Sequence, residues 1–134
     1  MLIIEDKIDW EKVMSAPRYA GGHEEVMDSM FGDNAEVIST YHDHDWSGEI
    51  AWAYKFPTGE VAIMTDYYGS CSGCDSWEDC CDEEAHNMII GLCGSAKIFK
   101  NTAEAKEWCA SIAPTEVPMD FPWRSAQYLF KGEK

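Results

Sequence analysis

Residues 48–69 read "GEIAWAYKFPTGEVAIMTDYYG". From Glu49 to Phe56 the residues alternate: Ile50, Trp52, Tyr54 and Phe56 fall on one side, Glu49, Ala51, Ala53 and Lys55 on the other. That period of two is the mark of a β-strand, whose successive side chains point to opposite faces. "PTG" at 57–59 carries turn chemistry. The chain then returns with Val61, Ile63, Thr65 and Tyr67 on a common face. Two alternating runs joined by a short Pro/Gly turn predict an antiparallel hairpin, 49–56 with 60–68.

Around the hairpin, "AEVISTYH" (35–42) and "SAKIFK" (95–100) are β-rich. Helices are predicted on either side. "DWEKVMSA" has Asp9 as a cap, Trp10, Val13 and Met14 at helical spacing, and Pro17 as a stop. "GHEEVMDSMFG" places Val26, Met27 and Met30 on one side and ends at Gly32. Residues 75–90 read as a helix, with Asp75 and Glu78 in capping-box spacing and a stripe of Trp77, Cys80, Cys81, Ala85 and Met88. Asn101 or Thr102 caps "AEAKEWCASIA", where Ala105, Trp108, Cys109 and Ile112 recur at i, i+3, i+4, i+7. "PTEVPMDFPW" is expected to be extended, and "RSAQYLF" to close the chain as a short helix. The expected fold is α+β over 1–134 as a single acidic domain. It has an antiparallel sheet of three to five strands with helices packed mainly on one face.

Charge is unevenly placed. The chain carries −15 in 134 residues. Residues 19–96 hold sixteen acids and one base, Lys55, so this segment carries the whole excess. Such a field repels nucleic acid and anionic membrane and attracts basic protein surfaces. No apolar run reaches the roughly 20 residues that span a bilayer. The start, "MLIIEDKIDW", turns acidic at once and lacks the regions of a signal peptide, so a cytoplasmic protein with reduced thiols is expected.

Four of the six cysteines lie within residues 71–81: Cys71 and Cys74 in "YGSCSGCD", then the vicinal Cys80 and Cys81. Three readings stay open. In a metal reading, Cys71-x-x-Cys74 forms a zinc knuckle, with Cys80 or Cys81 and one of His86, Cys93 or Cys109 as further ligands. In a redox reading the same pair cycles with a disulfide, but Asp75, Glu78 and Asp79 oppose thiolate formation. In a structural reading Cys80, Cys81 and Cys109 are small apolar groups on buried helix faces. "YHDHDW" (41–46) offers His42 and His44 at i, i+2 as a second possible metal pair or a solvated strand end. No phosphate loop, nucleophile elbow or metalloprotease helix is present, and no carboxylate pair falls in an acid/base pattern, which leans away from an enzyme.

"YYGSCSGCDSWE" (67–78) resembles a signature, aromatic-Tyr-Gly-Ser-Cys-Ser-x-Cys-Asp, of small uncharacterised proteins of bacteriophages and some bacteria. The resemblance implies a phage or mobile-element origin and assigns no catalytic residue. Together with the charge it leads to an expected role: an inhibitor acting in the host cytoplasm on a nucleic-acid-handling protein such as a CRISPR effector, a restriction enzyme or a nuclease. Carboxylates would stand where phosphates do. The expected contact residues are Glu78, Asp79, Asp82, Glu83 and Glu84 on one helix, and Glu24, Glu25 and Asp28 on another. Direct binding to nucleic acid or membrane is not expected, and no cofactor is required. The alternative is a zinc-binding or thiol-redox module built on Cys71, Cys74, Cys80 and Cys81.

Overall fold

The computed structural model describes residues 3–16, 23–42, 47–69, 81–112 and 124–130. Four strands form one antiparallel sheet in the order of the chain: β1 (Glu36–His42), β2 (Ser47–Lys55), β3 (Val61–Gly69) and β4 (Lys97–Phe99). The hairpin predicted from the alternating run is its centre. Trp52 pairs with Met64 and Ala53 with Ile63 across β2 and β3, in unbroken register. Gly59, at φ +93°, makes the turn, and its N–H donates to Phe56 O at 2.8 Å. β1 carries an irregularity between Val37 and Ser39. The architecture is α+β, as the sequence predicts.

Helices cover both faces of this sheet. One face, built from Ile50, Trp52, Tyr54, Phe56, Ala62 and Met64, packs against α1 (Trp10–Ser15), α2 (His23–Ser29), α3 (Asp82–Gly94) and a 3-10 turn at Ile4–Lys7. Val13, Met27, Met30, Phe31 and Ile89 are fully buried there. Phe31 meets Tyr54 and Phe56 edge-on at ring-centroid distances of 4.8 and 5.1 Å. Such contacts are worth about 0.5–1.5 kcal/mol each beyond their buried area. The opposite face, Ala51, Ala53, Val61 and Ile63, packs against α4 (Thr102–Ser111) and a 3-10 turn at Arg124–Tyr128. Three of the four described α-helices thus share a face, but the alanine face is no less buried.

Local chemistry fixes each element. The Asp9 carboxylate accepts from Lys12 N–H at 3.1 Å and caps α1. Its own N–H donates to Met30 O at 2.9 Å, and Asn34 Nδ2 donates to Lys7 O at 2.9 Å, so the start of the chain is tied to the segment after α2. Asn101 caps α4 through Glu104 N–H at 2.9 Å. The closing turn is bound across the second face. Ser125 Oγ donates to Ile50 O at 2.9 Å, Tyr128 stacks on Tyr41, and Phe130 N–H donates to Ser39 Oγ at 2.9 Å.

The third helix departs from expectation. Cys81 is extended (φ −77°, ψ 170°), so α3 begins at Asp82 and runs to Gly94. The helix read over 75–90 therefore cannot pass unbroken through Cys81, and Asp75 and Glu78 lie outside the described residues. Cys81 itself is exposed, where a place on the buried stripe was expected. The stripe is Ala85, Ile89, Leu92 and Cys93 instead. Residues 114–123, expected to be extended, also lie outside the described residues.

Candidate functional site

The face of α1, α2 and α3 gathers most of the acids the sequence singled out. Together with the turn at Ile4–Lys7 these helices contain Glu5, Asp6, Glu11, Glu24, Glu25, Asp28, Asp82, Glu83 and Glu84 against two bases, Lys7 and Lys12. α4 and the turn Arg124–Tyr128, on the other face, contain Glu104 and Glu107 against Lys106 and Arg124. Between these two helical layers, the acidic imbalance therefore falls on the first. α1 touches both α2 and α3, so the helices that carry the described members of the two groups flank it.

Within that layer the acids have different duties. Glu25, Asp82 and Glu83 are exposed. Asp28 is exposed too, but its Oδ1 accepts the indole N–H of Trp52 at 2.9 Å, and Trp52 is buried in the core. Next to it the Tyr54 hydroxyl donates to Met27 O at 2.6 Å. Burial first, and the nearby Asp28 charge second, push the Tyr54 phenol well above its ordinary value, so it stays a neutral donor. This pair of bonds fastens α2 to β2. Glu84 reaches back to accept Cys81 N–H at 3.1 Å in a capping-box arrangement. Hydrogen bonds from the Cys81 thiol and then from its backbone N–H hold the Glu84 carboxyl below its usual value. Asp28 and Glu84 thus brace the structure, whereas Glu83 presents charge in the first turn of α3. Glu78, Asp79 and the side chain of Glu24 lie outside the described residues.

An aromatic pair sits among these acids. The His86 imidazole on α3 stacks on the Trp10 indole of α1, with ring centroids 4.5 Å apart and planes 10° from parallel. From sequence, His86 was a candidate zinc ligand and Trp10 a member of an apolar helix stripe, and nothing paired the two. Trp10 sits on the apolar stripe of α1 and His86 among the polar residues of α3, and no local pattern links them.

Of the cysteine cluster, Cys71, Cys74 and Cys80 lie outside the described residues, as does His44. Among the described residues no three His, Cys, Asp or Glu side chains come together as a metal site. Burial pushes the Cys93 and Cys109 thiols up to about 12, with the Glu5 charge adding to it at Cys93. Each is enclosed in one of the two cores. Neither thiol is poised to ionise near neutral pH.

An open groove of about 510 Å³ lies at the end of the hairpin, lined by Gly32, Asp33, Ala35, Glu36, Lys55, Phe56 and Pro57. Glu36 and Lys55 are opposed across β1 and β2, which places one acid and one base in its lining. No described helix is long and apolar enough to cross a membrane. No protein-family model, curated protein or solved structure matches the chain.

Proposed function

We propose that this protein is an acidic interaction module. It docks its α1–α2–α3 layer on a basic, nucleic-acid-handling surface of another protein and blocks it, with carboxylates where phosphates would lie. One observation carries this reading: of the two described helical layers, the α1–α2–α3 layer is strongly acidic while the opposite one is balanced. Charge spread only for solubility has no reason to segregate by face. A one-signed surface raises the encounter rate with an oppositely charged partner and excludes like-charged competitors. The resemblance of residues 67–78 to small phage proteins makes a host defence enzyme the natural class of target.

The test is competition. The protein is added to a purified CRISPR effector, a restriction enzyme and a nuclease, each with its DNA substrate, over a salt series. Inhibition that competes with DNA and weakens as salt rises is expected. The salt slope should be shallower than the −0.9 or so per phosphate contact of DNA itself, because a folded protein has no comparable condensed ion atmosphere. Reversal of Glu25, Asp82 and Glu83 to Lys should abolish inhibition, with circular dichroism checking that the fold is kept. Inhibition that survives the triple reversal overturns the proposal. Stoichiometric zinc in the purified protein would move attention to the cysteine cluster.

A further inference from the structure

Stacked on Trp10, His86 has one ring face covered, yet the residue remains exposed. On α3, Asp82 and Glu83 lie four and three residues before His86, and Ile90 four residues after it. At those spacings their side chains are its neighbours on the helix surface. Asp82 and Glu83 are exposed, and Ile90 is 38 % exposed. Beneath the imidazole, Trp10 is half-buried against the first core and gives the stack a fixed base.

A flat, supported ring with carboxylates at one end and an aliphatic group at the other matches one side chain in particular. A guanidinium stacks on planar rings, pairs with carboxylates in a fixed fork and lies along apolar surface through its methylene stem. An ammonium has the charge but not the plane. The acidity of the surrounding layer selects a basic occupant. We infer that the Trp10–His86 stack, flanked by Asp82, Glu83 and Ile90, is a docking point for an arginine side chain of a basic partner protein. This rests on the acidic-docking reading above and adds to it the residue type at the centre of the contact.

The experiment uses the full chain with acetylated hexa-arginine and hexa-lysine peptides at low salt, followed by calorimetry and by the His86 ring proton resonances. The arginine peptide should bind about two- to fivefold more tightly than the lysine peptide, the range expected for an exposed cation–ring contact. The His86 resonances should move with arginine far more than with lysine. In His86→Ala, whose side chain is exposed and whose melting temperature reports on the fold, the preference should vanish while lysine binding stays the same. Asp82→Asn with Glu83→Gln should weaken both peptides alike. Equal affinity for the two peptides, or a preference that persists in His86→Ala, overturns the docking point and leaves the acidic-surface reading standing. Failure of both peptides to bind removes the acidic-surface reading as well.

Discussion

Asp28→Ala should destabilise the protein, although the carboxylate is on the surface. The indole N–H of Trp52, in a residue only 2 % exposed, donates to Asp28 Oδ1 at 2.9 Å. A hydrogen bond to a charged group contributes about 1.5–3 kcal/mol, and an orphaned buried donor costs about 1–3 kcal/mol. Because Asp28 is exposed, water can reach part of the vacated position, which favours the lower end, about 1.5 kcal/mol. With an unfolding entropy of about 2.1 cal/mol/K per residue over 134 residues, that corresponds to a fall of about 5 °C in melting temperature. Urea unfolding of wild type, Asp28→Ala, Trp52→Phe and the double variant gives the coupling directly, and at least about 1 kcal/mol is expected. Glu83→Ala is the control, expected within about 0.5 kcal/mol of wild type. A coupling near zero, or an Asp28→Ala variant as stable as the control, would refute the assignment of Asp28 as the brace between α2 and β2. The distinction matters for function. Binding lost on replacing Asp28 would report a loosened helix, whereas binding lost on replacing Glu83 would report charge.

Gly32→Ala should cost about 2–3 kcal/mol in the same assay. Gly32 has φ +53°, where a side chain is strained by about 1–2 kcal/mol, and its new Cβ would collide with the Asp9 carboxylate that caps α1. In native thiol titration Cys93 and Cys109 should stay unreactive until the protein unfolds, while Cys81 reacts at once; fast labelling at position 93 or 109, located by mass spectrometry, would contradict the packing of that core. Glu84 has a folded-state value below its unfolded one, so its contribution is complete above the unfolded carboxylate value and is lost as pH falls through the folded one. Glu84→Gln should therefore flatten the acid limb of a stability–pH profile, and a profile identical to wild type would argue against the cap.

The hairpin was legible because its signal is local: two period-two runs and a Pro-Thr-Gly turn are complete within 22 residues. The caps at Asp9 and Asn101 were legible for the same reason, since a cap needs only the residue and the backbone three positions on. The buried alanine face was not. Alternation put Ala51 and Ala53 opposite the bulky residues, and an alanine carries no sign of whether it meets water or a helix. Its cover, α4, lies some fifty residues further along the chain. The start of α3 was misread because Asp75 and Glu78 match the usual cap pattern, whereas the residue that caps is a cysteine, a type that propensity does not flag. Acidic residues could be named as surface groups, but the split between bracing and presented carboxylates depends on Trp52 and Cys81, which only the fold brings into reach.

The order of elements gives the alanine face a particular history during synthesis. Every described helix that packs on the bulky side of the sheet has been made by Gly94, and so have the three strands that carry both faces. The cover for Ala51, Ala53, Val61 and Ile63 comes from residues 102–112 and 124–130. At about 5–20 residues per second the ribosome needs roughly 2–7 s to add that remaining length. For that interval the nascent chain has a finished layer on one side and an uncovered apolar sheet on the other. Chaperones that bind short apolar strands would find their target in this window. A chain interrupted before residue 124 would keep part of that surface open and be prone to aggregate through it.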